Sequence, residues 1–217
     1  MKHLLISSSI LAATICLVAP ATSVAREAGD WLARGRIINV SPNDDSSVVT
    51  GIASSAVAVD SATSIELDFT YFVTDDWALE LILATTKHDI SGAASINNLG
   101  TLVEVGVLPP TLTLQYHFDF SHTVHPYVGA GVNYTVFYDE EGKGTFAGAD
   151  IDLDNSFGFA AQAGVDFELA NGWLLNVDAK YITIDTTANI RPDATQLLQV
   201  DADIDPWVFG IGLGYEF

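Results

Sequence analysis

The sequence predicts an all-β fold: an eight-stranded antiparallel transmembrane β-barrel with long extracellular loops and short periplasmic turns. Three observations carry that prediction. The last eleven residues, Trp207 to Phe217, place large apolar side chains at every odd position, against Gly210, Gly212, Gly214 and Glu216 at the even ones. Strict period two marks a strand with one greasy face and one small or polar face. In a soluble sandwich the greasy face would pack on a second sheet; in a membrane barrel it meets lipid and the interior is polar. Three glycines make a poor soluble core face, because they leave nothing to interdigitate. Second, 49% of the 217 residues are hydrophobic, yet beyond the N-terminal stretch no run reaches the ~18 apolar residues of a spanning helix. Third, alternating segments recur along the chain, joined by connections that are by turns long and short, the pattern of outer-membrane barrels.

Residues 1–25 stand apart. Lys2 and His3 form a basic start, Leu4 to Ala19 is apolar, and Ser23-Val24-Ala25 is a small-x-small cleavage signal. Together they read as a secretory signal peptide removed after Ala25, which leaves 26–217 as the barrel domain. About 16 apolar residues are too few for a membrane anchor, which needs roughly 20. The only cysteine, Cys16, lies in this segment, where bulky Ile15 argues against a lipoprotein site; the exported chain then has no disulfide. The formal charge of −20 excludes nucleic acid, which wants a basic face, and the hydrophobic content excludes an acidic disordered chain.

The first strand runs from about Trp31 to Val40, with Leu32, Arg34, Arg36 and Ile38 on one face. Asn43 to Asp60, rich in Asp, Ser, Gly and Ala, is the first long loop. In the second strand Ile65, Leu67, Phe69 and Tyr71 alternate with Glu66, Asp68 and Thr70, and a tight turn follows at Val73 to Asp76. The third sets Trp77, Leu79, Leu81 and Leu83 against Ala78, Glu80, Ile82 and Ala84; Asp89 to Gly106 is the second long loop. The fourth puts Leu112, Leu114, Tyr116 and Phe118 outward and Thr111, Thr113, Gln115 and His117 inward, before a short turn at Asp119 to His125. The fifth opposes Val128, Val132, Tyr134 and Val136 to Tyr127, Gly131, Asn133 and Thr135, and leads to a third loop, Asp139 to about Asn155. In the sixth, Phe157, Phe159, Val165 and Phe167 oppose Gly158, Gln162 and Asp166; Leu169-Ala170-Asn171-Gly172 is a hairpin signal. The seventh sets Trp173, Leu175, Val177 and Tyr181 against Asn176, Asp178 and Lys180, and a fourth loop, Ala188 to about Ile204, precedes the terminal strand.

The aromatics sort themselves accordingly. Trp31, Trp77 and Trp173 start rising strands, and Tyr71, Phe118, Phe167 and Phe217 end returning ones, so all fall at the periplasmic rim, where an aromatic girdle belongs. Tyr134, Phe137, Tyr138, Phe157, Tyr181 and Trp207 gather near the other rim. Inward, Glu66, Asp68, Glu80, Asp166, Asp178 and Glu216 share the lumen with Arg34, Arg36, Lys180, His117 and Gln115. Eight strands enclose a lumen just wide enough for side chains to fill, so these charges must pair. They read as a polar plug that rigidifies the barrel, or else as a proton or ion relay.

At several places the residues resemble the OmpW family. Pro126-Tyr127-Val128-Gly129-Ala130-Gly131-Val132-Asn133-Tyr134-Thr135, Leu108-Pro109-Pro110-Thr111-Leu112, Asp185-Thr186-Thr187-Ala188-Asn189 and Asp205-Pro206-Trp207-Val208-Phe209 carry the resemblance, with Glu27-Ala28-Gly29 at the mature start. It covers essentially the whole mature chain in order. It implies residence in the outer membrane of a Gram-negative bacterium and a narrow channel for small hydrophobic molecules, entered from outside and left sideways into the membrane. The implied partners are outer-membrane lipid and lipopolysaccharide, small apolar solutes, and the barrel assembly machinery, which reads a terminal strand ending in an aromatic such as Phe217.

The residues themselves bear on that route. Pro109 and Pro110 open the fourth strand and cannot donate to a ladder, so they mark either a lateral opening beside the third strand or simply the end of a loop. Going outward along the lumen, Asn176, Asp178 and Lys180 give way to Ile182 and Ile184, and Glu80 gives way to Ile82 and Ala84. A polar plug below and an apolar cup above would admit a greasy solute and bar it from the periplasm. Ile82 matches the family's apolar channel base, whereas Lys180 stands where the resemblance leads to a bulky aromatic; its ammonium would instead close the floor by pairing with Glu80 or Asp178.

Catalysis is not expected. His88, His117, His122 and His125 are scattered and accompany no nucleophile motif or metal spacing. Asp150 to Asp154 superficially matches a calcium loop, but Asn155 stands at the sixth position and Ala161 at the twelfth, so no metal or other cofactor is expected; a strand extending above the membrane explains the alternation better. The other class left open is a non-transporting structural or surface-interaction barrel, whose acidic loops, with Asp139, Glu140, Glu141, Asp201, Asp203 and Asp205, contact phage, host or lipopolysaccharide.

Overall fold

The computed structural model describes residues 26–118, 120–193 and 195–217, so the signal-peptide expectation for 1–25 lies outside the described residues. In chain order the strands are β1 (Trp31–Ser41), β2 (Asp45–Ser46), β3 (Ser55–Val59), β4 (Ala62–Phe72), β5 (Trp77–Ala84), β6 (Thr86–Ala94), β7 (Thr101–Leu108) and β8 (Thr111–His117). They continue with β9 (Val124–Gly142), β10 (Asp150–Leu153), β11 (Ser156–Glu168), β12 (Trp173–Ile182), β13 (Asp185–Arg191), β14 (Leu198–Asp203) and β15 (Trp207–Glu216).

Eight of them form the wall. β1, β4, β5, β8, β9, β11, β12 and β15 pair antiparallel in that order, and β15 returns to β1 over Leu32↔Glu216 to Ser41↔Trp207, so the barrel closes. Closure pairs the wall strands all the way round the barrel, which suits a membrane, where an unpaired backbone group has no water to turn to. Period two then decides every face. In β15 Trp207, Phe209, Ile211, Leu213 and Tyr215 are exposed outward, while Gly210 and Gly212 face in. The glycines have a steric reason: a Cβ at Gly210 would stand 2.5 Å from Asp178 Oδ1, and one at Gly212 would stand 2.8 Å from Arg36 Cγ. Their missing side chains are the room in which the lumen arginines lie.

At the periplasmic rim Trp31 packs against Tyr71, Trp77 edge-on against Tyr116 and Trp173 against Tyr215, with ring centroids 5.0 to 5.3 Å apart. Tyr181 and Trp207 make the equivalent pair at the outer rim. Phe137 corrects the girdle expected there: it lies on the inward row of β9 with Asn133 and Thr135 and is 93% buried within the lumen.

The long loops are the larger correction. The stretch 89–106 is mostly β6 and β7, which pair with each other, while β3 adds to β6 and β7 to the upper part of β9. The stretches 43–60 and 188–204 likewise contain β2, β3 and β14 and part of β13, and β10-β13-β14-β2 form a second sheet. The wall therefore continues beyond the membrane as a raised, ordered collar. Gly, Asn and Ser punctuate these segments and hide the short alternating runs between them, such as Val103, Val105 and Val107.

Candidate functional site

The lumen is stacked in three layers. At the periplasmic end Leu32, Phe72, Ala78 and Leu174 form a small apolar floor. Above it lies the plug. Arg34 grips Asp166 through Nε at 3.2 Å and Nη2 at 2.8 Å, and its Nη1 donates to Thr70 at 2.8 Å and Glu80 at 3.2 Å. Arg36 meets Glu66 at 2.9 Å, Asp68 at 2.8 Å and Asp178 at 2.8 Å. Glu80 also accepts 2.7 Å bonds from Gln115 and Gln162. Lys180 contacts Glu66 at 2.7 Å and Asp178 at 3.0 Å. The expected Asp178 partner is present; the other carboxylate is Glu66, because Glu80 is held lower by the two arginines. Such charges tolerate burial only when paired and hydrogen-bonded on most sides.

The strands place these groups with little freedom. Arg34, Arg36, Glu66, Asp68, Glu80, Asp166, Asp178 and Lys180 all occupy inward positions of strands locked in register on both sides, and all are buried. His117 is buried between Phe72 and Tyr127 and bonds Gln115; Glu216, half-buried, lies at the rim. One member escaped the sequence reading. Arg26, the first residue after the expected cleavage site, reaches into the periplasmic mouth, where it contacts Glu216 at 3.2 Å, Asp166 at 3.0 Å and His117 Nδ1 at 2.9 Å. No periodicity marks it, since it precedes β1. Tyr127 and Asn176, read only as inward positions, also join the network, bonded to each other and to Arg36.

Above the plug the same strands enclose an apolar cup of about 1150 Å³, its open mouth included. Ile82, Ala84, Ile182 and Ile184 line it, joined by Ile38, Val208 and, from the collar, Val103, Val105, Val107 and Phe137. Lys180 lies beneath this wall, within the plug. The few polar side chains on the wall are tied locally: His88 bonds the Asp60 carbonyl at 2.7 Å and Thr86 at 2.9 Å. Burial holds the His88 imidazole below its ordinary pKa range, against the opposing pull of Asp60 and Asp89, so it lines the cup as a neutral ring.

One side of the cup wall is not sewn shut. β5 pairs with β8 up to Ile82↔Thr111, and β6 pairs with β7 from Thr86↔Val107, in the same register. Between them no ladder joins Leu83, Ala84 and Thr85 to Leu108, Pro109 and Pro110. On the other edge β9 runs past the prolines unbroken, from Leu108↔Val136 to Thr111↔Asn133, with Tyr134 N–H donating to the Pro110 carbonyl at 3.1 Å. Proline offers no N–H, so the break falls on the side where one is needed. Ala84 and Pro109 border it from within the cup, Leu83 and Leu108 from the lipid side. At its upper end the Tyr138 ring lies flat over Gly106, and its hydroxyl bonds Thr85 Oγ1, a strap across the outside of the wall.

Comparison with known proteins agrees with this geometry. The OmpW family profile matches residues 27–217. Outer membrane protein W of Vibrio cholerae serotype O1 is 40% identical over 223 residues, covering all of both chains. Outer membrane protein AlkL of Ectopseudomonas oleovorans is 31% identical, over 91% of this chain and 86% of its own. The crystal structure of the outer membrane protein OprG from Pseudomonas aeruginosa superposes with a TM-score of 0.82 at 36% identity, over 89% of this chain and 98% of that one. This chain belongs to the OmpW family and is a barrel of the Gram-negative outer membrane.

Proposed function

We propose that the barrel is a passive conduit that takes small apolar molecules from outside the cell and releases them sideways into the outer membrane. The observation that carries this reading is the continuity of an apolar cup, closed below by a charged plug, with a stretch of wall at Pro109 and Pro110 that lacks a ladder. Burial in the cup costs a greasy solute little, at roughly 25 cal/mol gained per Å² of apolar surface removed from water. Passage downward would force it through paired charges that cannot be separated without several kcal/mol per ion. The bilayer beyond Leu83 and Leu108 is the open exit.

The plug is then a floor rather than a pathway, and the reading involves no catalytic step and no cofactor. Lipopolysaccharide and the assembly machinery enter as partners of the outside: the acidic collar would meet the former through divalent ions, and the latter would read β15 together with the exposed Phe217 that follows it. A second reading, a surface-interaction barrel, draws support from the order of the collar, where Asp45, Asp203 and Asp185 stand in line across three strands.

A cross-link tests the route. Leu83→Cys with Pro110→Cys places thiols on the two lipid-facing borders of the break, in a chain whose only native cysteine is Cys16. Uptake of an apolar solute by vesicles carrying lipopolysaccharide in the outer leaflet should fall on oxidation and recover on reduction. Equal uptake in both states would contradict lateral release; uptake no faster than in protein-free vesicles would favour the surface-interaction reading.

A further inference from the structure

The geometry points to a polar anchor at the bottom of the cup: we propose that Glu66 binds the hydrogen-bond donor end of an amphiphile, a hydroxyl or an ammonium group on a short apolar chain. The proposal rests on the cup's being the solute site and names the class of solute it prefers. Glu66 is 98% buried yet lines the cavity. Its Oε1 is occupied by Lys180 Nζ at 2.7 Å and lies 2.9 Å from Arg36 Nε. No donor among the described residues reaches its Oε2, and that oxygen is not sealed in by protein.

The other polar side chains on the wall have their own partners. Thr111 donates to the Pro109 carbonyl and Thr186 to the Asp154 carbonyl, while Thr86 is bonded to His88. Lys180, the nearest ammonium, is 1% exposed, is engaged by Glu66 and Asp178, and does not line the cup. What a solute meets there is therefore one carboxylate oxygen with an open acceptor position, in a cavity also lined by Ile38, Ile82, Ile182 and Val208.

Chemistry then orders the candidates. An alcohol or an alkylammonium completes the carboxylate's hydrogen bonding while its chain fills the cup. An ether or ester brings only acceptors and covers Glu66 without satisfying it, which leaves a buried charged acceptor unpaired. A fatty carboxylate meets like charge in a water-poor site and is rejected.

The test is a titration of the refolded barrel in lipid nanodiscs, read from the side-chain methyl resonances of Ile182 and Ile184. The probes are octane, octanol, its isomer heptyl methyl ether, octylammonium and octanoate. Octanol should titrate the methyls at a concentration roughly tenfold below its ether isomer, as expected of a hydrogen bond to a charged group. Octylammonium should behave like octanol, and octanoate should leave the methyls unmoved. Glu66→Gln turns the open acceptor into an amide that can donate, and should bring alcohol and ether within about twofold of each other. Octanol and ether acting alike on the wild-type chain, with octane still binding, would overturn the Glu66 anchor and leave the cup standing. No response to octane or any other probe would instead overturn the cup itself. The alcohol–ether comparison is made on the wild-type chain, so it decides the matter even if the substitution prevents folding.

Discussion

The lower and upper halves of the lumen are built by the same strands with the same alternation, and they do opposite things. β1 turns from Arg34 and Arg36 to Ile38, β5 from Glu80 to Ile82 and Ala84, and β12 from Asp178 and Lys180 to Ile182, with Ile184 just beyond its end. Below that boundary side chains meet across the barrel and fill it; above it they stop short and leave a cavity. Period two decides only which side chains face inward. Whether an inward row becomes a plug or a cavity wall depends on reach and charge: Arg and Glu cross an eight-stranded lumen and find partners, whereas Ile and Val do not cross it and have no reason to.

The largest effect should come from breaking the lower half. Arg36→Met leaves Glu66, Asp68 and Asp178 without their shared cation, at a cost of about 3–5 kcal/mol for an orphaned buried pair. Urea titration of the refolded barrel should show a midpoint shifted far down, or no folded band at all. Ile182→Asp attacks the upper half instead. A carboxylate in the cup wall should reduce uptake of an apolar solute roughly tenfold, the cost of dehydrating it over the solute's path, while stability changes less than for Arg36→Met.

A subtler probe sits at the bottom of the plug. Arg26→Ala removes a cation that faces Asp166 and Glu216, in a lumen where carboxylates already outnumber cations. Planar-bilayer recordings should then show a small cation-selective leak absent from the wild type, with apolar uptake unaltered. A leak without cation preference would mean that Arg26 merely fills space.

The smallest effect is a pH dependence confined to the collar side. Burial keeps His88 neutral in the folded barrel, so its folded pKa lies below the unfolded value, ~6.5. The unfolded chain binds the extra proton, and the contribution of His88 to stability is intact above that value and declines as pH falls below it. His88→Gln should flatten that part of the stability profile between about pH 7 and pH 5, measured by urea midpoint at each pH. Neutral His88 also means that cup occupancy should not change over the upper part of that range.

Much of this architecture was legible in the residues, because membrane strands must show every side chain to lipid or to lumen. The eight wall strands, the inward charges and the apolar turn at Ile82 and Ile182 all follow from alternation. Phe137 was placed in the outer girdle on its chemistry alone, although its odd position beside Asn133 and Thr135 assigned it inward. The collar looks like loop in the sequence because Gly92 lies within β6, Asn97, Asn98 and Gly100 separate it from β7, and pairing partners on β3 and β9 are invisible to a local pattern. Arg26 carried no signal, since what it touches, Asp166 and Glu216, is supplied by strands far along the chain. Pro109 and Pro110 by themselves fit a gap in pairing and a loop end equally, and where the ladder stops is legible only in the register of β5, β6, β7 and β8.

The central claim is that one lumen is open to apolar solutes from above and shut to ions from below. It is tested most directly by recording both on the same preparation: apolar solute uptake and ion conductance of vesicles with lipopolysaccharide in the outer leaflet and the refolded wild-type barrel. The account predicts uptake well above that of protein-free vesicles with no added ion conductance. Ion conductance that rises together with uptake would show a through-going pore and contradict it.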